Sequence, residues 1–130
     1  MPFSFKKTSA DFHVYEELPF ALSGKGDAFY VYVEKRNLTT QEVIDYLRKK
    51  LKLSRLSLGI AGLKDKKAIA RQRISIYDRA LAQAGGERVF VDTLAEITKV
   101  IKTARHAFPL NLSTPITNKF AITFRAQKNL

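Results

Sequence analysis

Asp65 is the residue of this sequence whose surroundings most suggest chemistry. It is the only acidic residue between Arg48 and Arg73, a stretch that carries ten basic side chains. Because neighbouring cations favour the charged form of a carboxylate, we expect Asp65 to be ionised at neutral pH. An ionised carboxylate among cations can act as a nucleophile or a base on a substrate whose phosphates those cations hold. It can also be a structural counterion, which is the more common role on residue types alone.

The whole chain is strongly basic. Its 130 residues include 23 Lys and Arg against 12 Asp and Glu, which gives a net charge of +11 at neutral pH. Each Lys or Arg that meets a phosphate displaces a condensed counterion, so this excess favours a polyanionic partner. The alternative at this point is a basic domain whose charge only keeps it soluble.

The residue types that are missing exclude several kinds of site. The sequence has no cysteine, and its only imidazoles are His13 and His106. A disulfide scaffold, a thiolate zinc site, a cysteine nucleophile and a histidine-rich metal cage are therefore excluded. The apolar stretches are too short to span a bilayer and the start lacks a signal-peptide core, so we expect a cytoplasmic protein without a membrane partner. The length fits a single domain over residues 1–130.

Hydrophobic patterns predict the elements that must position Asp65. Thr39 followed by Glu42 has the form of a capping box, and the apolar spacing after it predicts a helix from about Thr40 to Lys52. Strands are predicted at Phe12–Glu16, Ala28–Glu34, Gln72–Tyr77 and Phe120–Phe124, and Glu96–Thr103 fits a strand better than a helix. One clear helix among several strands favours an α+β fold with a mixed, largely antiparallel sheet and a flanking helix or helices.

Basic side chains on and near the predicted helix are candidate RNA phosphate contacts. The helix carries Arg48, Lys49 and Lys52 on its outer face, and the stretch around Asp65 adds Lys66, Lys67 and Arg71. A row of cations on one helix is more often a solvated face than a binding site.

Three separate pieces of the chain resemble one family of RNA-modifying enzymes. The stretch AGLKDKKAIARQ, residues 61–72, resembles the signature A-G-x-K-D-[KR]-x-A-x-T-x-Q of the TruD family of tRNA pseudouridine synthases. Phe12, Val14 and Glu16 match the family's early F-x-V-x-E strand, and Asn118 and Phe120 match its N-x-F segment. The order and spacing of all three pieces agree with the family.

The resemblance implies the pseudouridine synthase core fold, tRNA as the partner and a reaction that needs no cofactor. It places Asp65 as the catalytic aspartate that acts on uridine-13 of tRNA after this base has left the RNA stack. Phe120 would stack on the target base and Asn118 would hydrogen-bond substrate edges. Phe12 would be a substrate contact, although core packing of a strand explains it equally well. Glu16 would orient a neighbour or pair with a basic residue.

Two further signature positions flank Asp65. The resemblance makes Lys64 and Gln72 candidate substrate-binding residues. Lys64 could pair with Asp65 or meet an RNA phosphate.

The chain departs from the family pattern in three places. Ala70 stands where the signature has Thr, Ala28 stands where the strand after the glycine loop opens with His, and the second-half motif N-Y-F-G-x-Q-R-F-G is absent before the sequence stops at Leu130. We therefore expect the N-terminal part of a TruD-like catalytic domain, and a degenerate protein that kept one half of the site is the alternative. An open sheet edge favours self-association or pairing with a missing C-terminal half. The alternative function is a non-catalytic basic RNA-binding module of the ribosomal-protein or assembly-factor type.

Overall fold

The computed structural model of the chain describes residues 8–64 and 69–126. Strands and helices alternate irregularly along these residues. The strands are β1 (Thr8–Glu17), β2 (Ala28–Lys35), β3 (Leu58–Gly59), β4 (Ile69–Tyr77), β5 (Lys99–His106) and β6 (Thr117–Ala126). The helices are α1 (Thr40–Leu51), α2 (Asp78–Gln83) and α3 (Glu87–Ala95), with a short 3₁₀ turn at Arg55–Ser57.

The described strands form one sheet with the order β5-β2-β4-β1-β6, and β3 pairs with β4 beside this path. β1 and β4 run parallel, whereas the other pairings are antiparallel. The α+β prediction with a mixed, largely antiparallel sheet is confirmed. The assignment of residues 96–103 to a strand needs adjustment, because α3 is followed by a turn and β5 begins at Lys99.

Helix α1 forms where the capping residues predict it. The Thr39 hydroxyl accepts the Glu42 N–H at 3.0 Å, and the Glu42 carboxylate accepts the Thr39 N–H at 2.8 Å. These two bonds satisfy backbone donors that a helix start would otherwise leave unpaired. The helix ends at Leu51, and Lys52 follows in the left-handed conformation with a φ of 54°.

The three helices cover one face of the sheet, called here the helical face. Phe29, Val31 and Val33 of β2 and Ile74 and Ile76 of β4 are buried on this face. The helices contribute their own buried side chains to the same cluster, namely Val43, Ile44, Leu47, Ala80, Leu81, Phe90 and Leu94. The opposite face, called here the open face, carries a smaller cluster of Ala28, Tyr30, Ala61 and Leu110.

Gly59 in β3 lies against a neighbouring backbone on the open-face side. A Cβ atom there would overlap the Leu110 carbonyl oxygen and Ser75 Oγ. Gly59→Ala is therefore expected to lower the free energy of unfolding by about 1–3 kcal/mol, since the overlapped backbone cannot move freely. Urea denaturation measures this loss. Gly62→Ala is the control, because its nearest neighbours are side-chain ends at 3.3 Å and 3.4 Å. Equal midpoints for the two variants would contradict this prediction.

Candidate active site

The β1–β6 ladder gathers the predicted substrate-binding residues on one face. Val14 lies opposite Phe120, Glu16 lies opposite Asn118, and Phe12 lies opposite Ile122. Residues that lie opposite each other on neighbouring strands share a face of the sheet. Phe12, Glu16, Asn118 and Phe120 therefore all belong to the same face of β1 and β6.

This face is the helical face, in a part of the sheet that the described helices do not cover. Val14 pairs with Ala70 of β4, and Ala70 pairs in turn with Lys35 of β2. Phe12 is 53% exposed and Phe120 is 75% exposed. Two aromatic rings on neighbouring strands thus present their surfaces to solvent, so the described residues do not pack Phe12 into a core.

Lys64 is held against the start of α1 by its backbone. The Thr40 hydroxyl accepts the Lys64 N–H at 2.7 Å, and the Thr40 N–H donates to the Lys64 carbonyl oxygen at 3.0 Å. The buried Lys35 ammonium lies 3.4 Å from the same carbonyl oxygen. Both polar groups of the Lys64 backbone therefore have protein partners, which fixes the position of the chain directly before Asp65.

Gln72 of β4 contacts the chain that leads to Lys64. Its side chain is buried and accepts a hydrogen bond from the Thr40 hydroxyl at 2.8 Å, while Nε2 donates to the Gly62 carbonyl oxygen at 3.4 Å. The Thr40 hydroxyl thus donates one hydrogen bond to Gln72 and accepts one from the Lys64 N–H. It therefore acts as donor and acceptor at the same time. Gln72 supports the segment from 62 to 64 rather than facing solvent.

Glu16 occupies a gap in the sheet. The β1–β4 ladder runs as far as Tyr15 and Arg71, and β3 joins β4 at Ser75. Arg73 lies between these two ladders on β4, and its N–H donates to Oε1 of the fully buried Glu16 carboxylate at 3.1 Å. A side chain here satisfies a backbone donor that would otherwise be buried without a partner.

The same carboxylate neutralises Lys64. Glu16 Oε2 lies 3.7 Å from Lys64 Nζ, and both side chains are buried. Burial raises the pKa of Glu16, and the Arg73 N–H and the charge of Lys64 oppose that rise. The Lys64 ammonium is therefore engaged inside the protein, where it balances Glu16 and is shielded from solvent.

The raised pKa predicts a pH dependence of stability. The folded protein binds the Glu16 proton more tightly than the unfolded chain does. The stability contributed by this tighter proton binding is complete below the ordinary pKa of 4.5, and it is lost as pH rises through the pKa of the folded state. Glu16→Gln carries no such proton, so its free energy of unfolding relative to the unaltered chain should increase as pH rises from about 4. Urea denaturation of both proteins at several pH values measures the difference. A difference independent of pH would contradict the prediction.

The central predicted residues Asp65, Lys66 and Lys67 lie outside the described residues. Their described neighbours are Lys64, which contacts Glu16, and Ile69, which pairs with His13. Both neighbours therefore lie beside β1, the strand that carries Phe12.

Comparison with known proteins identifies the family. The family model described as tRNA pseudouridine synthase D (TruD) matches residues 3–129. The chain belongs to the TruD family.

Individual TruD proteins match most of the chain. It is 36% identical over 120 residues to the tRNA pseudouridine synthase D of Syntrophotalea carbinolica, a match that covers 92% of this chain and 29% of that protein. With the protein of the same name from Pseudomonas entomophila the identity is 33%, with coverage of 90% and 32%. The chain thus spans about a third of the length of these curated relatives.

A solved structure supports the same fold. A crystal structure from Methanosarcina mazei, described as that of a tRNA pseudouridine synthase D, superposes with a TM-score of 0.64 at 26% identity. The superposition covers 85% of this chain and 24% of that one. The predicted pseudouridine synthase core is therefore confirmed as the fold to which these strands and helices belong.

The predicted phosphate contacts of this TruD chain that the structure describes lie in two different places. Lys49 and Lys52 are exposed at the far end of α1, and Arg48 lies 3.8 Å from Asp45. At a rise of 1.5 Å per residue, Lys49 is about 14 Å along the helix from Thr40. Arg71 projects from the open face, where its Nε donates to Glu34 at 3.0 Å and its guanidinium lies over the Tyr15 ring.

The ion pair with Arg71 lowers the pKa of Glu34. Burial raises the pKa of Glu34, but the hydrogen bond and charge of Arg71, together with Arg36, outweigh this effect and lower the pKa below its usual value. Arg71 is thus neutralised by a carboxylate, on the face opposite Phe120. The fold places its side chain on the face opposite the described contacts of Lys64 with Glu16 and Thr40.

Thr40 is the residue of this site that the sequence patterns miss. The capping box at Thr39 and Glu42 marks the start of α1 and therefore indicates that Thr40 begins the helix. Nothing in that pattern indicates that its hydroxyl meets Lys64 and Gln72, because those contacts join distant parts of the chain.

The described residues contain no cluster of three or more His, Asp or Glu that could hold a metal ion. Within the same residues, no helix is long and apolar enough to cross a membrane.

Proposed function

We propose that this chain is the N-terminal part of the catalytic domain of a TruD-type tRNA pseudouridine synthase that isomerises uridine-13, with Asp65 as the catalytic residue. The observation that carries the proposal is the exposed pair of rings, Phe12 and Phe120, on the face of the sheet beside the anchored residue Lys64. Asp65 follows Lys64 directly in the chain. Membership of the TruD family supplies the reaction and the substrate class.

The proposed reaction balances without a cofactor. The bond from C1′ of the ribose to N1 of the uracil breaks, and a new bond forms from C1′ to C5. The proton on C5 is lost and N1 gains one, so that substrate and product are isomers. Asp65 in its ionised form either attacks C1′ or removes a ribose proton to begin this exchange.

Phe120 and Asn118 would hold the target uridine once it has left the stack. Extracting a base from its stack costs a few kcal/mol, which stacking on an aromatic ring can offset. Phe120 is exposed and can offer that ring, and Asn118 lies two residues earlier on the same face of β6. Phe12 offers a second ring from the neighbouring strand.

Glu16, Lys64 and Gln72 would act as positioning residues, since the contacts given above engage all three side chains within the protein. Their proposed role is to present Asp65 to the substrate at a constant position. Catalysis is sensitive to such positioning, because the reacting atoms must approach each other closely.

Lys49 would contact an RNA phosphate from the exposed end of α1. Lys49→Gln is expected to weaken tRNA binding for all sequences alike and to reduce the slope of log K against log salt by about one. Filter binding over a series of salt concentrations measures the slope. Arg88→Gln is the matched control, because Arg88 is exposed on α3 and lies 3.7 Å from Asp92. Equal slopes for the two variants would contradict the contact.

The proposed function is tested by incubating tRNA transcripts with the protein from the longest reading frame that contains this sequence. Chemical labelling of pseudouridine then maps its position in the tRNA. Pseudouridine at position 13 is the expected result. Salt-dependent tRNA binding without any pseudouridine would overturn the proposal and favour the non-catalytic RNA-binding module. Complementation of this chain by a separately expressed C-terminal half would show the proposed pairing.

A further inference from the structure

Three side chains form a row across the open face, on the side of the sheet opposite Phe12 and Phe120. Tyr32 of β2 pairs with Arg73 of β4 on one side and with Lys102 of β5 on the other. The Arg73 guanidinium lies 4.3 Å from the centre of the Tyr32 ring, and the Lys102 ammonium lies 5.6 Å from the same centre. One aromatic ring is thus flanked by two cations.

This row forms one wall of an open groove. The groove has a volume of about 490 Å³, and its other wall is the chain from Leu18 to Leu22 that follows β1. Its size is within the range of pockets that hold small ligands. The groove can therefore receive a flat ring and a charged group side by side.

Among the residues that the structure describes, carboxylates neutralise the cations of the row only in part, since the Glu16 carboxylate interacts with the charge of Arg73 but forms no salt bridge with it. Arg73 donates from Nη1 to the Glu16 carbonyl oxygen at 3.4 Å, and neither Arg73 nor Lys102 forms a salt bridge there. The neighbouring row differs in this respect, because Arg71 is paired with Glu34. The row with Tyr32 therefore places two cations side by side with no carboxylate between them, whereas in the neighbouring row Glu34 lies between Arg71 and Lys99.

The two acidic residues that line the groove are already engaged. The Glu16 carboxylate bonds to the Arg73 N–H and lies beside Lys64. Glu17 Oε1 lies 3.4 Å from the Nζ of Lys119, which belongs to the adjoining strand β6. Within the described part of the chain, neither carboxylate forms a salt bridge with Lys102, so an external anion can serve as the counterion of this cation.

We propose that the groove between Tyr32 and the chain from Leu18 to Leu22 binds single-stranded RNA, with a phosphodiester at Arg73 and Lys102 and a base stacked near Tyr32. Cationic side chains with an aromatic ring between them are typical of surfaces that bind single strands without sequence preference. The choice of RNA as the anion rests on the proposed function. The groove would hold a part of the RNA that does not enter the candidate active site.

The inference is tested by titrating the ¹⁵N-labelled chain with a short single-stranded RNA oligonucleotide and following its amide signals. The largest shifts are expected at Tyr32, Arg73 and Lys102. Lys102→Gln should reduce the slope of log K against log salt by about one. Tyr32→Leu should weaken binding about tenfold with an unchanged slope, because it removes stacking and no charge.

Lys99→Gln is the matched control, since Lys99 lies on the same strand but opposite Glu34 in the register. Its slope should change less than that of Lys102→Gln. Equal changes in the two variants would overturn the inference, as would the same shifts with inorganic phosphate alone at equal concentration. Arg73→Gln provides a second variant that retains the backbone N–H bonded to Glu16.

The outcome separates this inference from the proposed function. If the shifts are confined to the strands that carry Phe12 and Phe120 and pseudouridine is formed, RNA binding in the groove is overturned and the proposed synthase function is supported. If RNA binds at Tyr32 and Lys102 but no pseudouridine forms in any tRNA, RNA binding in the groove is supported and the proposed synthase function is overturned.

Discussion

Asp65→Asn is expected to reduce pseudouridine formation by at least about a hundredfold while tRNA binding is retained. Asn has the shape of Asp but carries neither the negative charge nor the basic oxygen that the reaction requires, and loss of such a group costs about two to four orders of magnitude in rate. A single-turnover assay on tRNA, with the protein from the longest reading frame in excess, measures the chemical step. Filter binding with the same tRNA measures affinity separately.

Asp45→Asn is the matched control for this experiment. Asp45 is exposed on α1, where it accepts a hydrogen bond from Gln41 and lies near Arg48. The same change of charge there should leave the rate nearly unchanged. If Asp65→Asn retains the rate of the Asp45→Asn control, Asp65 is not the catalytic residue.

Glu16→Ala is expected to lower the free energy of unfolding by about 3–5 kcal/mol. The change leaves the buried Lys64 ammonium without its counterion and the Arg73 N–H without its acceptor. Removing one partner of a buried ion pair has this large effect because the other charge stays behind in a poorly solvated place. Urea denaturation at neutral pH measures the loss.

Glu17→Ala tests whether the effect depends on burial. Glu17 is the next residue along β1 and pairs with Lys119, but both side chains are largely exposed. Exposed ion pairs contribute about 0–1 kcal/mol, so this variant should remain close to the unaltered chain. A similar loss in both variants would contradict the role assigned to the gap between β1 and β3.

A double variant distinguishes the ion pair from simple loss of packing. Lys64→Met combined with Glu16→Gln removes both charges and keeps side chains of similar length. Replacing a buried pair by neutral groups is often tolerated, so the double variant should be more stable than Glu16→Ala. Its activity should nevertheless fall if the pair positions Asp65.

Local sequence patterns predict most of the strands and the first helix, because each depends on residues close together in the chain. The capping box predicts the start of α1, alternation predicts the central residues of β1 and β4, and strand-favouring composition predicts those of β2 and β6. Helices α2 and α3 escape prediction because they have only six and nine residues. So few turns show too little of the helical period to be distinguished from other structure.

The sequence motifs indicate which residues belong to the candidate site, but they do not separate residues that face solvent from residues that support them. Phe12 and Phe120 are exposed, whereas Gln72 and Glu16 are buried, although all four belong to family motifs. The difference arises from where each residue lies relative to the neighbouring elements, since Phe12 and Glu16 share one strand and one face but only Glu16 lies in the gap beside Arg73 and Lys64. A motif records spacing along one strand and carries no information about what covers it.

Residue types and spacing are enough to show that this protein is basic, contains no thiol chemistry, alternates strands with at least one capped helix and carries the TruD motifs. The folded chain was needed to show that Thr40, Glu16 and Gln72 meet around the segment that ends at Lys64. It also showed that Arg71 and Phe120 lie on opposite faces. The physical reason is that these relations depend on the parallel pairing of β1 with β4 and on the gap beside it, which join residues far apart in the chain.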